Sequence, residues 1–151
     1  MKRVTLVCMG NICRSPIAEV VLRQKLTERG VEDVEVDSAG TGGWHVGESM
    51  DDRALDILRR HGYDGSAHRA RQFDQSWFAG RDLILVMDHD NLRAVRRIAP
   101  DDADVRLLRS FDPDAPDDAE VPDPYYNGRF EPVLTMVEAA ADGVVEYLED
   151  H

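Results

Sequence analysis

A chain of 151 residues is the size of one domain and long enough to bury a core unaided, and with 42% apolar and 32% charged residues it is not a disordered chain. Thirty acidic residues against 18 Lys and Arg leave a net charge of -12, a surface that repels nucleic acid and anionic lipid, so an anionic substrate needs a local basic pocket. The apolar run in "MKRVTLVCMG" falls short of the ~7–15 residues of a signal-peptide core, and no later run approaches the ~18 of a membrane span. With only two cysteines, five apart, a disulfide framework is not expected, and a single domain over 1–151 in a reducing cytoplasm is.

Residues 3–8, "RVTLVC", are β-branched and apolar and predict a short buried strand ended by Gly10. From Pro16 the pattern turns helical: Ile17, Val20, Val21, Leu22 and Leu26 form an apolar stripe, Gly30 supplies the stop, and Ser15–Pro16 reads as N-cap followed by first helical residue. Residues 34–40 predict a second strand, and Asp51 to His61 a helix closed by Gly62. Residues 82–88, "DLILVMD", predict the third strand, after which Asp88 caps a helix that turns Leu92, Val95 and Ile98 inward and ends before Pro100. Residues 104–110 predict the fourth strand. A last helix over about 131–148 buries Val133, Val137, Ala140, Ala141, Val144 and Leu148. Strands alternating with helices predict an α/β domain with a parallel sheet and right-handed crossovers, without internal repeats.

The stretch 110–124, "SFDPDAPDDAEVPDP", holds four of the seven prolines and a cluster of acids, the composition of a flexible linker. The adjacent tyrosines that follow it are poor linker material and useful pocket walls. Elsewhere His45 and His61 read as surface residues, and Trp77 and Phe78 as the edge of a core. No group of side chains has metal-ligand spacing, so neither metal nor cofactor is expected.

Residues 7–16, "VCMGNICRSP", gather both cysteines, an arginine and a serine between a strand and a helix. In an open α/β sheet, ligands bind where strand ends feed into helix N-termini. The loop Met9, Gly10, Asn11, Ile12, Cys13, Arg14 and Ser15 therefore presents amide N–H groups and a partial positive charge to an anion, and Gly10 and Asn11 tolerate the left-handed backbone such a curl needs. The same field favours the thiolate of Cys8, the form that attacks phosphorus. Arg14 is able to grip two phosphoryl oxygens with its planar fork, and Ser15 to donate a hydrogen bond to the sulfur as it leaves. Taken alone Cys8 reads as a small core residue; nucleophile, cradle, cation and cap together read as a catalytic motif.

The segments "CMGNICRSPIAE", "DSAGT", "HRARQ", "VMDHDN" and "DPYY" resemble, in order and spacing, the low-molecular-weight protein-tyrosine phosphatase family over nearly the whole chain. The resemblance implies an open four-stranded parallel sheet flanked by helices on both faces, with the phosphate loop after the first strand. It implies Cys8 as nucleophile, Arg14 as phosphoryl ligand and Asp123 as general acid. Asn11, Ser15, Ser38 and His68 would then support the loop, and Ile12, Trp44, Tyr125 and Tyr126 would line a slot for the substrate ring. It makes the neighbourhood of Asp123 an ordered loop. The implied partners are phosphotyrosine-containing proteins or peptides, with inorganic phosphate or vanadate as inhibitors.

Relatives on the same fold suggest alternatives. Arsenate reduction needs further cysteines, and none follows Cys13. Phosphoarginine hydrolysis goes with a threonine at the position of Ile12. A non-catalytic anion-binding module has no need of both nucleophile and acid, and a phosphocarrier has no use for Asp123. For Cys13 two readings stand: a small residue filling the underside of the loop, or a redox partner that captures an oxidised Cys8 as a disulfide.

Overall fold

The computed structural model describes residues 1–150. Strand β1 (Lys2–Cys8) is followed by α1 (Arg14–Glu28), β2 (Val34–Gly40), α2 (Asp52–Arg60), β3 (Leu83–Val86), α3 (His89–Ile98), β4 (Val105–Leu107) and α4 (Phe130–Asp150). Two 3₁₀ turns, Gln75–Phe78 and Leu108–Phe111, precede β3 and follow β4. The four strands form one parallel sheet in the order β2-β1-β3-β4, with Val4 opposite Val36 on one side and Leu83 on the other. Because β1 connects outward to β2 and the chain then returns to place β3 on β1's other edge, the strand order reverses at the carboxyl end of β1. That is where an open α/β sheet leaves a crevice.

Alternation along β1 divides the core into two layers, as expected of a parallel strand covered on both faces. Val4, Leu6 and Cys8 join the larger cluster with Ile17, Val21 and Leu22 of α1 and Val137, Ala141 and Val144 of α4. Val7 faces the other way, into a smaller cluster with Ile84, Val86, Phe73 and Val95. Trp77 and Phe78 pack against this second cluster around Phe73, as an edge of the core. Gly143 lets α4 approach the turn after β4 closely: a Cβ there would lie 1.8 Å from the carbonyl oxygen of Phe111.

Four expectations change in detail. Helix α1 begins at Arg14, its N-cap is Cys13, and no side chain caps it; the Ser15 hydroxyl is engaged by Cys8 and Asn11 instead. Pro16 still falls in the first turn, where its missing N–H costs nothing. The third and fourth strands are shorter than expected, the latter giving way after Leu107 to a 3₁₀ turn in which the Ser110 hydroxyl donates to the Leu107 carbonyl at 2.6 Å. Ile98 is 37% exposed, because it is the last residue of α3 and the inner positions are filled by Asn91 and Val95.

The linker-like stretch, finally, is fastened to the body. Val121 is fully buried and its N–H donates to the Met87 carbonyl at 2.8 Å. Arg109 donates to the Glu120 carbonyl at 3.0 Å, and the Glu120 carboxylate accepts the N–H of His89 at 2.7 Å.

Candidate active site

The loop after β1 curls around the sulfur of Cys8. Asn11 is the residue that turns it, with φ 58°, a left-handed conformation that asparagine tolerates better than most residues. Gly40, at the end of β2, lets the neighbouring strand back directly onto this curl, since a Cβ there would lie 2.6 Å from the Met9 carbonyl oxygen. Two donors reach the Cys8 sulfur: the Asn11 N–H at 3.3 Å and the Ser15 hydroxyl at 3.0 Å.

The directions of the bonds around Asn11 follow from donor and acceptor counts. The Asn11 side-chain oxygen accepts the backbone N–H of Arg71 at 2.9 Å, which fixes the amide's orientation. Its nitrogen then donates to Ser15 at 2.8 Å and to Ser38 at 2.9 Å. Ser38, having accepted, donates its only proton to Glu19 at 2.6 Å; the Ser15 proton has two acceptors in reach, the Cys8 sulfur at 3.0 Å and the Ala39 carbonyl at 3.5 Å, and goes to the nearer sulfur when Cys8 is a thiolate. Glu19 is held in turn by Arg23 at 2.6 Å. His68 donates from Nε2 to the Asn11 carbonyl at 2.7 Å, and burial holds its pKa below the ordinary histidine value, so the ring is neutral at pH 7. Every polar group of the fully buried Asn11 side chain is thereby satisfied.

Arg14 is 3% exposed, and its guanidinium is clamped along one edge. Nη1 donates to Asp88 at 2.7 Å and to the Val121 carbonyl at 2.9 Å, while Nη2 lies 3.7 Å from Asp123. Burial works against its charge, but attraction to the Cys8 sulfur and to Asp88 outweighs it and keeps the group firmly cationic. Asp88 also caps α3 through the N–H of Asn91, so one carboxylate anchors both the helix and the arginine.

Asp123 stands across the cleft from Cys8, its side chain 31% exposed, with one oxygen accepting the Tyr125 N–H at 3.0 Å. Cys13 is buried beneath the loop, and burial first, then the negative charges of Asp51, Cys8 and Asp123, push its thiol far above the ordinary range. It is therefore a protonated thiol at neutral pH.

Together Cys8, Ile12, Arg14, Trp44, Asp123 and Tyr125 line a cleft of about 370 Å³. Met9, Gly10, Cys13 and Tyr126 complete its walls. The aromatic rim stands open to solvent: Trp44 is 72% and Tyr126 90% exposed, and the two tyrosine rings meet edge to face at 5.0 Å. Trp44 packs against Gly42, where a Cβ would come within 1.8 Å of the indole.

All the residues expected at the site gather there or support it, and five others join them. His45, expected at the surface, is half-buried and lines the cleft beside Gly10. Asp88 and Glu19 anchor Arg14 and Ser38, and the backbone of Arg71 orients Asn11. Arg53 lies over the rings of Tyr125 and Phe130, 5.5 and 4.9 Å from their centres. Their signal in the sequence was faint because each acts through another residue distant along the chain. Asp88 already reads as a helix cap near the site, and Glu19, one turn beyond Ser15 on the inner face of α1, has a position that points back to the loop. Among the described residues no group of side chains is arranged to hold a metal ion.

Comparison with known proteins adds to this geometry. The family model described as low molecular weight phosphotyrosine protein phosphatase matches residues 3–151. The chain is 56% identical over 150 residues to a low molecular weight protein-tyrosine-phosphatase of Streptomyces coelicolor, covering 95% of this chain and 91% of that protein. A protein tyrosine phosphatase from Entamoeba histolytica, solved with Hepes in its active site, superposes with a TM-score of 0.93 at 31% identity over 99% of this chain and 98% of the other. A Drosophila arginine phosphatase superposes with a TM-score of 0.89 at 29% identity, over 99% and 98% of the two chains.

Proposed function

The chain belongs to the low-molecular-weight phosphotyrosine protein phosphatase family and is a cysteine-dependent protein-tyrosine phosphatase, and from that premise we propose that Cys8 is its nucleophile, Arg14 its phosphoryl ligand and Asp123 its general acid. The observation that supports this assignment best is the convergence at one sulfur: two hydrogen-bond donors point at Cys8, with the buried Arg14 cation and the Asp123 carboxyl facing the same cleft.

The Cys8 thiolate attacks phosphorus, forming the S–P bond as the bond to the tyrosyl oxygen breaks. Arg14 and the amides of residues 9–15 neutralise the equatorial oxygens, already held in place before charge develops on them. Asp123 gives its proton to the departing phenolate. Water then attacks the phosphocysteine and passes a proton to the ionised Asp123, the S–P bond breaks, and the Ser15 hydroxyl steadies the thiolate that leaves. Inorganic phosphate, the product, and vanadate compete for the same cradle.

Depth makes the enzyme selective for aryl phosphates. Ile12, Trp44, Tyr125 and Tyr126 flank a tyrosyl ring long enough to reach Cys8, whereas a seryl phosphate on its shorter stem stops at the rim. Ile12 in the wall of the slot, in place of threonine, favours the flat ring over phosphoarginine. The free thiols of Cys8 and Cys13 suit a reducing compartment, and Cys13, on giving up the proton that burial holds tightly, condenses with a sulfenic acid on Cys8, releasing water and forming a reversible disulfide before irreversible oxidation.

The test is kcat/KM for phosphotyrosine, phosphoserine and phosphoarginine peptides in wild type, Cys8→Ser and Asp123→Asn. Phosphotyrosine is expected to be preferred, and Cys8→Ser to be inactive while still binding vanadate. Asp123→Asn is expected to lose ~10²–10⁴-fold on phosphotyrosine and much less on an activated aryl phosphate, since a good leaving group needs no proton. Equal losses on both substrates move the acid to another carboxylate, and comparable turnover of phosphoserine removes the slot.

A further inference from the structure

A second cleft, of about 340 Å³, lies on the outer side of the loop-supporting network, between the second and third turns of α1 and residues 64–71, and shares no lining residue with the catalytic one. Arg23, Arg69 and Arg71 line it together with His68. Its two carboxylates are already committed: Glu19 accepts from Ser38 and Arg23, and Asp64 accepts the N–H of Ser66. Arg23 is engaged by Glu19 and the Val36 carbonyl, but the other two arginines retain unused capacity. Arg69 gives one N–H to the neighbouring His68 carbonyl. The Arg71 guanidinium rests over the Trp77 ring, 5.1 Å from its centre, and makes no hydrogen bond among the described residues.

In a chain of net charge -12 this is a local excess of cation, with three arginines lining a concave space of the size that holds a small ligand. Guanidinium groups are the side chains best matched to the oxygens of a phosphate dianion. The place in the fold matters as much as the charge. His68 and Arg71 bracket the segment that gives Asn11 two of its hydrogen bonds, one to its carbonyl and one to its side-chain oxygen. An anion held by the side chains of Arg69 and Arg71 therefore grips the same backbone that holds the catalytic loop in shape.

We propose that this cleft is a second anion site, which binds a phosphate dianion, either free inorganic phosphate or the phosphate of a phosphoseryl residue on a protein, and that it is separate from the catalytic cradle. The phosphoseryl group that is too short for the catalytic slot meets no such barrier here, because the arginines stand at the surface. Binding is reciprocal with the catalytic loop through Asn11: an anion that favours one arrangement of residues 68–71 alters phosphate affinity at Cys8 by the same factor as the reverse.

The experiment follows backbone amide resonances of the full chain carrying one equivalent of vanadate. With vanadate bound, the amides of Gly10 and Ile12 are expected to have moved to their anion-bound positions, and their failure to move would count against the catalytic reading, not against the second site. Inorganic phosphate is then titrated in, followed in a separate sample by a phosphoserine peptide. Residues 68–71 are expected to shift along a saturable curve that vanadate does not abolish, and Arg69→Gln with Arg71→Gln to weaken it about tenfold or more, the loss expected for charge-assisted hydrogen bonds. A phosphoserine peptide binding more tightly than inorganic phosphate identifies the protein-borne source, and equal binding the free ion. The proposal is overturned if the shifts at 68–71 disappear once vanadate is bound, or if the double variant keeps its affinity for both probes.

Discussion

Asn11 shows how much of the active site rests on a residue that touches no substrate with its side chain. It supplies the left-handed turn, one N–H to the Cys8 sulfur, two side-chain donors and two acceptors, all of them buried. Asn11→Ala keeps neither the tolerance for φ 58° nor the side-chain bonds. It leaves the Arg71 N–H without its acceptor and takes one donor each from Ser15 and Ser38, which keep Cys8 and Glu19 as partners, and a buried group left unpaired costs about 1–3 kcal/mol. Asn11→Gly restores the backbone freedom alone. The expected order of urea midpoints is wild type, then Asn11→Gly, then Asn11→Ala, with both variants well below wild type in kcat/KM. If Asn11→Gly matches wild type, the turn is the whole of the residue's role and the directional chain from Glu19 to Cys8 contributes nothing. The requirement for this residue was legible in part: asparagine beside glycine after a strand signals a tight curl. Its partners at 38, 68 and 71 were reachable only through the resemblance or the structure, because no local pattern links them.

Among the elements, α4 contains a glycine whose substitution reverses the usual rule. In an exposed helix interior Gly→Ala stabilises by about 1 kcal/mol, because alanine gives up less backbone entropy on folding. At Gly143 the added methyl meets the Phe111 carbonyl at 1.8 Å, and a backbone atom in a packed turn has little room to give. Gly143→Ala is therefore expected to destabilise by about 1–3 kcal/mol, the range for overpacking, read as a lower melting temperature with unchanged helical content. A rise in melting temperature would mean that the turn after β4 moves freely. The order of strands and helices was legible throughout, since hydrophobic period and stop signals are local. What was not legible depended on distant neighbours. The start of α1 shifted to Arg14 because the Ser15 hydroxyl is drawn to sulfur and not to a helix amide. The proline-rich segment 110–124 reads as linker because its composition is polar, yet it is fastened by Val121, Glu120 and Arg109 to the residue after β3, to α3 and to its own base. Composition records the scarcity of apolar residues there and cannot record that the one at 121 is fully buried.

For the molecule as a whole, the acid limb of stability carries the mark of one imidazole. His68 is held neutral chiefly by burial, opposed by its bond to the Asn11 carbonyl and the nearby Glu19 and reinforced by Arg71 and Arg69. Its folded pKa lies below the unfolded value of 6.5, so the unfolded chain binds more protons as pH falls through that value. Stability is accordingly full above pH 6.5 and declines below it as the pH approaches the folded pKa, with a slope of at most about 1.4 kcal/mol per pH unit from this group. Asp51, whose pKa is lowered mainly by hydrogen bonds from Arg53 against the cost of burial, adds its loss only below its unfolded value of 3.8, so the two contributions fall in separate windows. His68→Asn removes the titrating group, and whatever it costs in absolute stability, the slope between pH 6.5 and 5 is expected to flatten relative to wild type. The measurement is the urea midpoint of both proteins across pH 5–8, compared as slopes and not as heights. Parallel curves would place the origin of the acid limb elsewhere and leave His68 a hydrogen-bond donor whose neutrality has no bearing on stability.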